Sequence, residues 1–500
     1  MREPKFEIID GVAIIPEGTT EIGKEAFYSC SSLTSVTIPN SVTWIGDYAF
    51  EHCSSLTSIT IPESVTKIGA YAFGWCTSLK SITIPDSVTK IEYAAFCCSS
   101  IEDITIPKSI TEIGGGAFRC CYSLKSITIP ESVTKIETDA FESCRLLESI
   151  FIPKSVTYIS DRNVFRECTL LKSIVVEDGN PVYDSREGCN AIVETETNSL
   201  IAGCKATIIP ESVTKIKKYA FSDCTSLETI IIPKSVTEIG ECAFYNCTSL
   251  KSVSIPESVT KIGEFVFNKC TSLESIVVAD SNPKYDSREG CNAIIETATN
   301  KLIYGCKSTI IPDSVSEIGS HAFSGCRLLQ NITIPKSVTK IGDDTFWWCS
   351  SLKSITIPDS VEKIGNAFFW CSSLKSIVIP PLVTEINNHT FFGCESLQSV
   401  ELPEGLKCIG ERAFASCKSL QSIVIPKGVK SIRLCAFSDC TSLTTVTLPI
   451  GVNRINAAAF YQCTSLTAIY VPAGKTDYYK KRLPEELHNL IVELAPEKRK

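Results

Sequence analysis

Cysteine is the residue type whose number and spacing in this chain could do chemistry. There are 26 in 500 residues. Seventeen, from Cys30 and Cys53 through Cys98 to Cys440 and Cys463, stand one to a copy in a recurring unit. Thiols in such a series could bridge, ligate zinc, or pack as small soft apolar groups. Zinc needs four ligands converging tetrahedrally, which a linear stack does not provide. The four histidines, His52, His321, His389 and His488, are scattered and do not complete such a set. Neighbouring copies about 5 Å apart would fall within the Cα range of a disulfide, about 4.4–6.8 Å, but identical side chains pointing one way suit its dihedral poorly. The expectation is a ladder of packed thiols, with no metal and no cofactor.

Four other cysteines belong to a duplicated module, YDSREGCNAIVET at 183–195 and YDSREGCNAIIET at 285–297. With Glu196-Thr197 as a hairpin tip, Glu194 pairs with Ser199 and Cys189 lies opposite Cys204. The same arithmetic sets Cys291 opposite Cys306. Each pair is read as a cross-strand disulfide in an oxidising compartment or a packed thiol pair in a reducing one. Asp184, Arg186 and Glu187, with Asp286, Arg288 and Glu289, recur in the module. They could form a charged recognition loop or a weak cation site; the favoured reading is a salt-bridged turn. No Gly-rich phosphate loop, H-E-x-x-H or G-x-S-x-G occurs, so the chain reads as a non-enzyme. A net charge of −8 argues against nucleic-acid binding.

The element that positions these residues is a unit of 23. Residues 33–53 read LTSVTIPNSVTWIGDYAFEHC and 56–76 read LTSITIPESVTKIGAYAFGWC. Alternation of apolar Val36 and Ile38 with Ser35 and Thr37 marks a short strand with one face inward, ended by Pro39. Val42 and Ile45 return to the core, and Ala49, Phe50 and Cys53 have the spacing of one helical or 3₁₀ turn. One copy cannot form a core, whereas stacked copies share one. Roughly 17 copies, each marked by a phenylalanine, predict a repeat solenoid, mainly parallel β, right-handed as such crossovers are.

Residues 1–26 are expected to be an N-terminal capping hairpin and half repeat, with Asp10-Gly11 as the turn. Residues 27–472 form the solenoid, and 473–500 a C-terminal helical cap and tail broken by Pro484. Hairpin inserts at 177–206 and 279–308 are expected to project from it. No signal peptide follows Met1 and no stretch is long and apolar enough to span a membrane.

Two surfaces could bind. One is the outward strand row, threonine-rich at Thr37 to Thr128, apolar at Phe151, Val175 and Ile231, and threonine again at Thr333 and Thr356. The other is an aromatic cluster one and two places after the core phenylalanine: Trp347, Trp348, Phe369, Trp370 and Phe392. Most other copies hold polar residues there, so these five are the ligand-contact candidates.

The quoted unit resembles the BspA-like leucine-rich repeat family over residues 14–472. The resemblance implies a right-handed leucine-rich-repeat solenoid. It also implies a cell-surface or secreted protein that adheres to host or bacterial surface proteins. The alternative is an intracellular structural or interaction scaffold, cytoplasmic if Met1 is the true start.

Overall fold

A computed structural model describes residues 6–495; the charged start at 1–4 and the end of the tail at 496–500 lie outside the described residues. The contacts resolve two compact units, Met1–Leu250 with Lys261–Phe267, and Lys251–Thr260 with Asn268–Lys500. Both are parallel β-solenoids built from the same coil. One strand of each coil comes from the alternating stretch, as in Ser35–Thr37, and a second, shorter one follows the proline, as in Trp44–Ile45. Each pairs in parallel with its equivalent in the next coil, Val36 facing Ile59 and Ile45 facing Ile68. Identical residues therefore stack on themselves, and the leucines, isoleucines and valines of successive coils make continuous cores, one running from Ala13 to Cys204 and another from Cys291 to Leu483.

The corner expected to hold a helical turn is a chain of short turns shared between coils. The amides of Tyr48, Phe50 and His52 donate to the carbonyls of Ala70, Ala72 and Gly74 in the next coil, at 2.8, 2.8 and 2.9 Å. Those of Ala49, Glu51 and Cys53 fold back onto Gly46, Tyr48 and Phe50. A helix would spend every amide on itself, whereas this corner gives every second one to its neighbour and keeps pace with the strands. The alternation throws Tyr48 and His52 into the left-handed region, with φ of 59° and 61°. Inside the corner the phenylalanines stack ring on ring, Phe27 on Phe50 at 5.1 Å and Phe346 on Phe368 at 5.4 Å.

The one-residue slip after Phe96 corrects the cysteine ladder. Ser99, and not Cys98, donates its amide to Phe96 at 3.1 Å, as Cys53 does to Phe50. Ser99 thus fills the ladder place, and Cys98 occupies the left-handed place before it, with φ 58°.

The inserts do not project. In the first unit, Ala191–Glu194 pairs antiparallel with Ser199–Gly203, and the latter pairs in parallel with Lys215–Ile216 of the following coil. Ala191, Ile192, Val193 and Leu200 are fully buried. The second unit repeats this with Ala293–Glu296, Lys301–Gly305 and Glu317–Ile318. The hairpin is a coil of another shape, because its own apolar faces need the cover that a neighbouring coil supplies. Glycine makes it fit: a Cβ on Gly203 would stand 2.1 Å from the Phe221 ring, and one on Gly305 2.2 Å from that of Phe323.

The near cap is the expected hairpin, Ile9 facing Val12 across Asp10 and Gly11, and Phe6 stacks on Phe27 at 5.4 Å. The far cap is only partly helical. Thr476–Lys480 is one α-helix and Glu485–Leu490 a 3₁₀ helix. Ile491–Glu493, read from sequence as helix, is a strand paired with Ala468–Val471, because the last coil leaves an unpaired edge for it to cover. Among the described residues no helix is long and apolar enough to cross a membrane.

Candidate functional site

The ladder thiols face inward, and most of them donate a hydrogen bond to the coil before. Cys53 donates to the Phe27 carbonyl of the coil before it at 3.1 Å, Cys371 to Phe346 at 3.2 Å, and Cys440 to Phe414 at 3.1 Å. Burial pushes the thiols of Cys53, Cys121 and Cys394 up to about 12, so they stay protonated and poorly reactive. Among the described residues no three His, Cys, Asp or Glu side chains are grouped to hold a metal ion.

In the inserts Glu194 faces Ser199 as expected, but a bulge at Ile192/Val193 shifts the pairing, so Ala191 faces Gly203. Cys189 and Cys204 do not meet as a simple hairpin would place them. Cys189 donates to the Ala191 carbonyl at 3.6 Å and Cys204 to that of Asn190 at 3.3 Å. Cys291 and Cys306 make the equivalent contacts at 3.8 and 3.4 Å, and all four are free thiols. Arg186 grips both carboxylate oxygens of Asp184, at 2.8 and 2.6 Å, and reaches Asn198 and Ser212 at 2.8 and 3.2 Å. Arg288 repeats the set with Asp286, Asn300 and Ser314. The guanidinium therefore ties both ends of the hairpin to the coil that follows, with four of its five N–H groups spent within the chain. A cavity lined by Phe165, Arg166, Gly203 and Cys204 measures about 30 Å³, room for about one water.

The outward strand row has members that sequence reasoning missed. Ile208 and Ile310, at the return of each insert, are both 74% exposed and lie in the row of Ile231. They stand 13 residues before Phe221 and Phe323, the offset of Thr37 from Phe50, so the repeat register would have found them.

The aromatic candidates are brought together by three consecutive coils. The amide of Trp348 donates to Phe369 at 2.9 Å and that of Trp370 to Phe392 at 2.7 Å, so the rows remain in step. The one-residue deletion before Phe368 removes a left-handed residue upstream of the ring and leaves this register intact. Phe369 stacks on Phe392 at 5.1 Å, Trp370 meets Phe392 edge-on at 5.8 Å, and Trp347 stacks on Trp348 at 5.5 Å. All five are half-buried. The cover comes from residues the sequence did not single out. Arg327 lies 4.6 Å from the Trp348 ring, Lys269 5.3 Å from that of Trp347, and Trp370 packs over Gly393. His389 adjoins Phe369 and Phe392 at 6.1 and 5.9 Å. A second cluster joins Tyr28, His52 and Trp75, His52 stacking on Trp75 at 5.4 Å. The same row offset would have found it.

Trp348 and Trp370 both have φ of 58°, a region unfavourable for bulky residues. Gly325, Gly393, Asn246 and Asp439 fill that place in some coils, and larger side chains such as Glu167, Lys269 and Gln462 fill it in others. Among the described residues a third tryptophan, Trp75, also takes it.

Among curated proteins none matches the chain. Solved structures similar to it include a leucine-rich repeat protein from Bacteroides ovatus, 26% identical over 97% of this chain and 92% of that one, with a TM-score of 0.30. A leucine-rich cell surface protein from Faecalibacterium prausnitzii is 26% identical over 95% and 94%, with a TM-score of 0.35. The pneumococcal vaccine antigen PcpA is 22% identical over 98% and 96%, with a TM-score of 0.40. The family model for the BspA-type leucine-rich repeat region matches residues 12–114, 89–186, 200–302, 294–394 and 366–482. Its coverage of nearly all the repeats makes the chain a member of the BspA-type leucine-rich repeat family.

Proposed function

We propose that the protein is a non-enzymatic binding protein of the adhesion type, and that it grips a protein partner through Trp347, Trp348, Phe369, Trp370 and Phe392. The observation that carries this reading is the pair of tryptophans at left-handed places in successive coils. The backbone cost there is of order 1–3 kcal/mol per residue. The fold imposes this backbone at every such corner but does not demand tryptophan there, since Ser143, Glu167 and Gln462 hold the same place elsewhere. Half-buried tryptophans in a cluster are the residue type and setting of binding hot spots. The intact hydrogen bonding of the ladder thiols and insert arginines supports structural roles for those groups.

The test is the double variant Trp348→Ala, Trp370→Ala, immobilised against extracts of host and bacterial surface proteins. Each truncation is expected to cost about 1 kcal/mol of stability, while capture falls by about tenfold or more. Capture equal to that of the parent chain overturns the reading.

A further inference from the structure

We propose that the corner of the first unit around Glu51 is a second binding site, and that it takes an arginine side chain of a partner protein. The site shares no residue with the tryptophan cluster above and stands or falls independently of it.

Its basis is a carboxylate that the chain does not answer. Glu51 and Glu142 hold the same place in the repeat, one after the core phenylalanines Phe50 and Phe141. Both are sheltered, at 9% and 5% exposure. Glu142 is met by the residues at that place in the coils before and after it, Arg119 at 2.8 Å and Arg166 at 3.1 Å. For Glu51 the equivalent neighbours are Tyr28 and Gly74, which carry no charge. Among the described residues its carboxylate accepts no hydrogen bond and joins no ion pair. His52 is near enough to favour the charged form but does not pair with it. The carboxylate oxygens are not sealed from solvent. A sheltered carboxylate costs free energy unless a donor meets it, and a cation reaching it from outside would relieve that cost.

Aromatic rings border the same spot. A Cβ at Gly74 would stand 3.4 Å from Tyr71 Cδ1 and 3.5 Å from Glu51 Cγ, so ring and acid flank one glycine. Tyr71 stacks on Tyr48 at 5.4 Å. The amide of His52 donates to the Gly74 carbonyl at 2.9 Å, and the His52 ring stacks on Trp75 at 5.4 Å. Trp75 is 45% exposed and is followed in its row by Cys98. Among the described residues no second ring and no cation lies over it. The corners at 24–29, 47–52, 70–75 and 93–98 hold Glu25, Asp47 and Glu51 against Lys24 alone. Lys24 itself lies 5.6 Å from the Tyr48 ring. Charge complementarity of this kind selects a cationic partner.

A guanidinium fits both halves of the site. It is planar, meets a carboxylate through paired N–H donors and stacks on aromatic faces. The chain uses each contact elsewhere, Arg166 on Glu142 and Arg145 5.0 Å from the Tyr122 ring. A neutral sugar would stack on Trp75 but leave the charge of Glu51 unanswered.

The experiment titrates the full chain into a fluorescein-labelled peptide, RGSRGSRGS, followed by anisotropy. The parent chain is expected to bind it, and to bind about tenfold more weakly a peptide with uncharged citrulline in place of arginine. Glu51→Gln is expected to weaken binding by about tenfold without lowering the melting temperature, since it removes a sheltered charge that has no partner. Trp75→Ala should weaken binding too, whereas Glu63→Gln, an exposed charge outside these corners, should bind as the parent does. No binding by the parent, equal binding of the citrulline peptide, or equal binding by Glu51→Gln or Trp75→Ala overturns the proposal. A lower melting temperature for Glu51→Gln also overturns it, because the carboxylate would then be answered within the chain. Binding of maltohexaose that Trp75→Ala loses and Glu51→Gln keeps overturns it in favour of a glycan.

Discussion

The cysteine three places after every core phenylalanine but Phe96 does more than fill space. In most coils its thiol donates across to the phenylalanine carbonyl of the preceding coil, as Cys371 does to Phe346 at 3.2 Å. Ser99 shows that a hydroxyl fits the same place, buried at 2% exposure. Cys371→Ala, which removes the sulfur and the donor, is expected to cost about 1–2 kcal/mol in chemical denaturation. Cys371→Ser keeps a donor and should cost no more than the alanine change. A serine variant much less stable than the alanine one would mean that the site rewards only apolar bulk. The inward stack of thiols was legible from their recurrence. The direction of each S–H was not, since it depends on a corner whose amides are shared between coils.

At the level of the element, the inserts are where local reading and structure part. The hairpin strands and their Glu194–Ser199 pairing follow from apolar runs flanking a polar turn. Their burial does not, because the cover comes from the neighbouring coils. Ile192→Ala is therefore expected to cost about 2–5 kcal/mol, measured as a shift in the denaturation midpoint. A projecting hairpin would lose less than about 0.5 kcal/mol. Gly203→Ala places a methyl against the Phe221 ring and should cost a further 1–3 kcal/mol, roughly. A neutral result at both positions would show that the hairpin is loosely held.

At the level of the molecule, the buried thiols couple stability to pH. Burial raises Cys53, Cys121 and Cys394 from 9.0 to about 12. Above about pH 9 the unfolded chain releases protons that the folded chain retains, so ionisation favours unfolding. The stabilisation is complete below pH 9 and is lost progressively towards pH 12. The slope is about 1.4 kcal/mol per pH unit for each thiol ionised only in the unfolded state. Denaturation midpoints should fall steeply between about pH 9 and 11, and more gently in a Cys53→Ala, Cys121→Ala, Cys394→Ala variant. Equal slopes would show that other groups govern the alkaline limit.

The sequence by itself determined the solenoid, its parallel stacking, the two duplicated hairpins and the family. The reason is that a coil of 23 residues with too few inward side chains can be stable only against copies of itself. It also located the aromatic coils, since Trp347 to Phe392 depart from the polar consensus of their rows. Tertiary structure alone decided how far those rings are covered, because Arg327 and Lys269 reach them from other coils. It likewise assigned Ser99 to the ladder in place of Cys98, since the slip after Phe96 can be placed only by seeing which amide meets which carbonyl. And it turned Ile491–Glu493 from helix into strand. Local pattern there favoured a helix, but the unpaired edge of the last coil offered backbone hydrogen bonds that no isolated segment could match.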